Sequence, residues 1–357
     1  MTLRATEGFD HYSSIADMVL RVGALQWTTT GGASWSTTTP GRGGYGACLS
    51  SHNGTVQGTF NVNLVSGFFG FGLTFGTATS SMTLELLDPI SLATQLMFVF
   101  VASTGMIQLY RNGPTADAEG RYNYGGAVIA SSEPNAFNAS VWAFYEVGAT
   151  IDPAAGSLSL RVNGSTVLSY SGNTQNSGNS SFGGVRFSYN PNNDTYPQLD
   201  DFRYNDTTVG PGTYPCNGFM GDLRVVPLYP TANSAVTWTP LTGENWQEVS
   251  ETAFDGDTSY NATSTVGDED LFTMGSVPSA ATVIAVSLIG AYRSGDATAH
   301  TLTQQLSVGG TDHAGAVQTL ALGYQFVSDV FPVNPTTAAS WAAADVNTML
   351  AGYKVAS

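Results

Sequence analysis

Apolar and polar positions along much of the chain alternate with a period of two. Leu158-Ser159-Leu160-Arg161-Val162 puts its apolar side chains on one side, Asn163-Gly164 interrupts, and Thr166-Val167-Leu168-Ser169-Tyr170 resumes the alternation. Alternation on both sides of an Asn-Gly step predicts a tight β-hairpin, because both turn residues must take a positive φ. Similar runs at residues 82–87, 96–101, 106–110, 141–151 and 185–189 are separated by clusters of Gly, Pro, Asn, Asp and Ser. Many short strands at this spacing predict an all-β sandwich or barrel. One helix is predicted, over residues 340–350, with Ser340 as N-cap, Ala342-Ala343-Ala344 in the first turns and Gly352 closing it. Trp341, Val346 or Met349, and Leu350 would dock it.

The length suggests roughly two domains. Pro227 and Pro230 with the polar run after them interrupt a predicted strand at 223–226, so the expected division is a β-domain over 1–228 and a smaller β-rich module over 229–357. The Gly/Ser/Asn tract at 171–184 is expected to be a mobile loop.

Charge changes the picture by exclusion. With 11 Lys+Arg, 27 Asp+Glu and a net charge of −16, only 11% of residues are charged, against about 25% in an ordinary globular domain. Non-specific nucleic-acid binding and polybasic membrane patches need clustered cations and are excluded. Lys354 is the single lysine, which leaves almost no candidate for Schiff-base chemistry and none for a Walker A loop. The longest apolar stretches, 280–292 and 96–102, fall short of the roughly 18 residues of a membrane span, and residues 1–10 carry no apolar signal-peptide core. Cys48 and Cys216 fit two buried thiols at least as well as one bridge. Solubility must come from Gly, Ser, Thr and Asn.

Candidate chemistry is sparse. Glu85 and Asp88, three apart on a predicted strand, and the adjacent Asp200 and Asp201 would each point to opposite faces, the wrong geometry for a carboxylate pair. Gly41-x-Gly43-x-x-Gly46 matches a dinucleotide fingerprint only as a string, since strand and turn residues follow it instead of a helix. His11, His52, His300 and His313 are too dispersed for a zinc motif. Asp255 and Asp257, followed by Asp268 and Asp270, form an oxygen-rich stretch that could hold Ca²⁺, or could be turn-forming aspartates without metal. Tyr122, Tyr124, Tyr189, Tyr196 and Tyr214 lie in Asn- or Gly-rich surroundings, where a ring could stack on a sugar or pack its own loop. The expectation is a non-enzymatic chain without a cofactor, unless calcium is bound.

The order Val141-Trp142, Ile151-Asp152-Pro153-Ala154-Ala155-Gly156, Leu158-Ser159-Leu160-Arg161-Val162-Asn163-Gly164 resembles the central hairpin of the concanavalin A-like lectin/glucanase superfamily, laminin G-like domains included. Gln198-Leu199-Asp200-Asp201-Phe202 resembles the closing strand of that fold. Over most of the chain, Gly8-Phe9-Asp10-His11-Tyr12, Gly221-Asp222-Leu223-Arg224-Val225 and Trp238-Thr239-Pro240 resemble a group of bacteriophage virion proteins that carry the same jelly roll. The resemblance implies a concanavalin A-like jelly roll followed by a β-module for virion docking or oligomerisation. It further implies a virion surface protein (fibre, tail or capsid decoration) made in the host cytoplasm and attaching to host surface glycans. Its expected partners are other virion proteins and copies of itself, as a trimer, because so few lysines guard its strand edges. A purely structural capsid or tail component and a glycan hydrolase are the alternatives.

Overall fold

The computed structural model describes residues 3–40, 42, 47–75, 81–111, 115–116, 122–123, 126–189, 197–207 and 218–357, with backbone alone at 31–32, 34–40, 47–53, 81, 115–116, 122–123 and 189. The chain is all-β and divides into two compact units. The first comprises residues 1–9, 24–208 and 216–225, and the second 10–23, 209–215 and 226–357. Residues 10–23, assigned by the sequence reading to the first domain, thus group with the second.

The first unit contains β1 (Leu3–Glu7), β2 (Leu25–Pro40), β3 (Ala47–Leu64), β4 (Ser66–Thr74), β5 (Ser81–Leu87), β6 (Thr94–Val101), β7 (Met106–Arg111), β8 (Val128–Ser131), β9 (Ala143–Thr150), β10 (Gly156–Val162), β11 (Ser165–Gly172), β12 (Phe182–Tyr189) and β13 (Gln198–Asp206). Hydrogen bonding runs in the order β8-β7-β6-β5-β12-β3-β13-β4-β9-β10-β11, with β1 on β13 and β2 on β3. Strand β3 pairs with β12 through Thr55–Leu64 and with β13 at Leu49 and Ser50, so one long strand passes between two layers. Aromatic side chains on the inner faces join the layers: Phe71 meets Phe187 at 5.2 Å between ring centroids, Phe100 meets Tyr145 at 5.5 Å, and Trp27 meets Phe202 at 5.3 Å. All six are buried. Such a two-layer antiparallel sandwich is a jelly roll, as the hairpin motif implied.

That hairpin forms as expected. Strands β10 and β11 pair from Val162 to Gly156, and Asn163 (φ 48°) and Gly164 (φ 83°) supply the two positive dihedrals of a type I′ turn. Asn163 is also tied to β9, its Oδ1 accepting from the Phe144 amide at 2.8 Å. The tract at 171–184 is no free loop. Its first two residues end β11, its last three begin β12, and its middle is tethered by buried Gln95, whose Nε2 donates to Ser177 Oγ at 2.7 Å and to the Asn179 carbonyl at 2.6 Å.

The second unit contains α1 (Ile15–Met18), β14 (Pro230–Val236), β15 (Glu269–Met274), β16 (Val286–Tyr292), β17 (Thr301–Val308), β18 (Thr311–Ala314), β19 (Gln325–Phe331), α2 (Ala343–Val346) and β20 (Leu350–Val355). One sheet runs β14-β15-β20-β17-β18, and the other joins the two-residue strand Arg21–Val22, β19 and β16. Leu306, Val308, Val286, Leu288, Trp341, Val346 and Met349 form the core between them. The predicted helix shrinks to one turn, capped where the Ala342 amide donates to Asp345 Oδ2 at 3.2 Å. Trp341, Val346 and Met349 dock as expected, but Leu350 and Gly352 belong to β20. A Cβ at Gly352 would overlap the Asp270 carbonyl oxygen on β15. This glycine therefore permits close strand approach and closes no helix. Residues 223–226 form no strand, and the polar run from Pro230 that was expected to interrupt a strand at the boundary is itself β14.

Candidate functional site

Register places two parallel rows of side chains on the outer face of the layer β2-β3-β12-β5-β6-β7. One row runs Thr28, Gln57, Arg186, Glu85, Met97, Tyr110, and the next runs Thr30, Thr55, Ser188, Thr83, Val99, Gln108. Six strands at the usual spacing make each row about 24 Å long. The rows are graded in polarity. Thr28 and Thr30 are exposed, Thr55 and Gln57 are half-buried, and Met97 and Val99 are buried.

At the centre of the first row the Arg186 guanidinium forks onto Glu85, with Nη2 at 2.5 Å from Oε2 and Nε at 3.2 Å from Oε1. Thr94 Oγ1 also donates to Glu85 Oε2, and Ser188 Oγ reaches Oε1 at 3.5 Å. Glu85 is thus consumed by protein donors, while Arg186 stays 26% exposed with Nη1 free of protein partners among the described residues. In the second row the buried Thr83 hydroxyl has no hydrogen-bond partner among the described residues. Burial raises the Tyr110 phenol above its ordinary pKa, so it stays neutral. The accessible part of the rows, Thr28, Thr30, Thr55, Gln57 and Arg186, offers hydroxyls, an amide and guanidinium N–H groups, which suits a neutral, hydroxyl-rich ligand, while Glu85, Thr83, Ser188, Met97 and Val99 are buried.

Glu85 is the one carboxylate that these six strands carry. Two-carboxylate glycoside hydrolysis needs a second about 5–9.5 Å away. Asp88 is not that partner: it caps a turn by accepting from the amides of Ile90 and Ser91 at 2.9 and 2.8 Å, and also accepts from Ser177 and Asn179. Burial opposes its charge, but these hydrogen bonds outweigh burial and hold its carboxyl well below the usual range.

The opposite layer carries a second polar cluster, closed instead of open. Gly70, Gly72 and Gly148 lie on its outer face, and their missing side chains leave channels. Arg203 lies over Gly70 to reach Glu146 at 2.6 Å, Arg42 lies over Gly72, and both guanidiniums face the Phe144 ring at 5.0 and 4.8 Å. Residues 218–225 form a strap over this face. Glu146 Oε1 accepts the amides of Met220 and Gly221 at 2.8 and 2.9 Å, and Phe219 sits against Phe68 with Arg161 3.9 Å above its ring. Asp200 and Asp201 do not point to opposite faces as expected. A bulge with Asp201 at φ 50° interrupts the alternation, and both carboxylates engage Arg42, Asp200 at its amide and Asp201 at its guanidinium. Burial raises the Asp201 pKa, although the Val225 amide, Arg42 and Arg224 oppose it.

The structure does not gather the aspartates proposed for calcium. Asp255 accepts from Ser259, Asp257 pairs with Arg293 at 2.9 Å, and Asp268 accepts from Thr263. Asp270 is buried and fully used, taking the amides of Thr237 and Trp238 on Oδ1 and Asn245 Nδ2 and the Tyr353 hydroxyl on Oδ2. Among the described residues no group of three or more His, Cys, Asp or Glu could hold a metal ion. Tyr124, Tyr196 and Tyr214 lie outside the described residues, as do the side chains of Tyr122 and Tyr189, the Cys48 side chain and Cys216.

No family model matches the chain, and no curated protein matches it. Among solved structures it is similar to a Bacillus subtilis protein of unknown function with a galectin-like fold, at 11% identity and TM-score 0.38, covering 57% of this chain and 96% of that one. It is also similar to a Bacillus subtilis carbohydrate-binding module, CBM66, at 13% identity and TM-score 0.33 over 49% of this chain and 92% of that one. Lectin I-B4 from Griffonia simplicifolia gives 11% identity and TM-score 0.33 over 56% of this chain and 98% of that one.

Proposed function

We propose that this protein is a bacteriophage virion surface component, fibre, tail or capsid decoration, whose jelly-roll unit binds a neutral host glycan at the accessible β2-β3-β12 end of this outer face. The observation that carries the glycan reading is the pair of graded rows centred on Arg186, with a guanidinium nitrogen unpaired among the described residues and Thr and Gln side chains in the same rows. The virion reading rests on the ordered sequence resemblance along the chain, and the second unit serves docking to neighbouring virion proteins or trimerisation. Binding without hydrolysis follows from a lone carboxylate already held by Arg186 and Thr94.

A glycan array supplemented with whole host cells tests the binding. Gln57→Ala combined with Thr28→Ala, at half-buried and exposed positions, is expected to lower binding about tenfold, or about 1.4 kcal/mol, without altering the fold. Silence of the wild-type protein on every glycan and on host cells leaves a purely structural component. Immunogold labelling of intact particles tests the location, and absence of label from particles refutes it.

A further inference from the structure

We infer that the open edge of β16 pairs with the same edge of a second copy of the chain, independently of the glycan reading above, and so extends the β19-β16 sheet of the second unit across a twofold axis. Strand β16 bonds to β19 alone, through seven consecutive positions from Val286 opposite Phe331 to Tyr292 opposite Gln325, with no shift in register. An edge strand turns the N–H and C=O of every second residue away from its neighbour. Among the described residues no other group bonds to the backbone of 286–292. Val286 and Leu288 face the core, so alternation places Ser287, Ile289 and Ala291 on the other face, where all three are half-buried.

Native sheets blunt open edges with bulges, charges or proline. Among the described residues, the other edge strands of four or more residues all do so. Strands β1, β2, β8, β11 and β14 each carry a shift in register, β14 also begins at Pro230, and β18 is short and holds Asp312 and His313. Strand β16 has none of these protections. It ends a run, Leu271 to Tyr292, that contains no charged residue.

Charge and regularity select the occupant. The edge fits a flat, uncharged, extended strand, and the chain supplies one in β16 itself. Two copies of net charge −16 repel one another in general, but here they meet without opposed charges. The antiparallel register that pairs all seven residues sets Val286 opposite Tyr292 and Ile289 opposite its own copy. Arg293, neutralised by Asp257 at 2.9 Å, falls beyond the last pair. Such a contact is isologous and closes as a dimer. A charged peptide would gain no ion pair from this strand.

Sedimentation velocity of the full-length protein at about 1–100 μM, a range that covers weak to moderate association, tests the pairing together with hydrogen exchange at both ends of that range. A dimer is expected at the upper end, with slower exchange at residues 286–292. Like charges directly opposite one another disfavour strand pairing, so Ile289→Lys and Ile289→Glu are each expected to weaken the dimer about tenfold. An equimolar mixture of the two should regain it, which loss of folding would not allow. Ser287→Lys, at a half-buried polar position, gives the same weakening if the Ile289 variants do not fold. A monomer across the whole range overturns the inference, as does exchange at 286–292 that ignores concentration. A trimer insensitive to these substitutions also overturns it, while leaving trimerisation through another surface standing; a silent glycan array fails the first-unit site alone.

Discussion

Replacing Asp270 by alanine removes a buried acceptor from four donors at once. Thr237 N and Trp238 N bond its Oδ1 at 2.8 and 3.0 Å, and Asn245 Nδ2 and the Tyr353 hydroxyl bond its Oδ2 at 3.0 and 3.4 Å. A net hydrogen bond to a charged group contributes about 1.5–3 kcal/mol, and each donor left buried without a partner costs about 1–3 kcal/mol. The four share one acceptor, so their effects are not additive. Tyr353 keeps a bond from Asn261 at 2.8 Å, which softens its loss. The expected destabilisation is about 4 kcal/mol, comparable to breaking a buried ion pair. Asp270→Asn should lose roughly half of that, because its Oδ1 still serves the two amides while its NH₂ opposes the Asn245 donor. Urea-dependent hydrogen exchange, read by mass spectrometry on peptides spanning 230–275 and 350–357, follows the second unit by itself. If Asp270 were a calcium ligand, chelation would mimic the substitution; the expectation is that EDTA leaves wild-type exchange unchanged. A loss below about 0.5 kcal/mol in Asp270→Ala, the size of an ordinary surface change, would refute the reasoning.

Four further outcomes follow from buried polar groups and glycine channels. Gly70→Ala should destabilise the first unit by roughly 3 kcal/mol in urea melts: the β-carbon displaces Arg203 from Glu146, an effect of about 3–5 kcal/mol that exceeds the roughly 0.5–1 kcal/mol gained by removing a strand glycine. Gly352→Ala meets backbone at Asp270, which cannot swing aside as a side chain can, and should lower the melting temperature of the second unit more than Gly70→Ala lowers that of the first. The pKa of Asp88 is depressed on folding, so its stabilisation is present above about pH 4, the unfolded value, and fades as pH falls toward the folded value; Asp88→Asn should flatten the acid limb of the stability curve of the first unit, and an unchanged limb would contradict its hydrogen-bond assignment. Asp329 shifts the other way, raised by burial against one bond from the Ala316 amide. Its ionisation on going above about pH 4 therefore favours unfolding, and Asp329→Asn should stabilise the second unit at pH 7 with the gain vanishing below pH 4.

Local pattern revealed much of the fold. The period-two runs became β5, β6, β7, β9, β10, β11 and β12, and Asn163-Gly164 became the predicted turn, because alternation and positive φ are properties of a few adjacent residues. Of the two longest strands, β2 escaped and β3 was read only as strand and turn after Gly46: they are rich in Gly, Thr and Ser with few apolar positions, and their pairing with each other and with β12 and β13 supplies what composition lacks. The glycines of Phe68-Phe69-Gly70-Phe71-Gly72 are channels for Arg203 and Arg42, which no local pattern signals.

The candidate sites were less legible. Thr55, Gln57 and Thr59 alternate on β3, which could have flagged a polar face, but no pattern tells that Arg186 stands 101 residues from Glu85 and forks onto it. The sequence alone determined the β-architecture, the poverty of cations and the uniqueness of Lys354. Only tertiary structure decided which carboxylates are spent. Asp270, read as a metal ligand, is saturated by four donors from three segments, whereas Glu269 beside it keeps one oxygen unpaired. Neighbouring strand residues point to opposite faces, so one residue step separates a carboxylate saturated by four donors from one that pairs with Lys354, and only the packed sheet shows which is which.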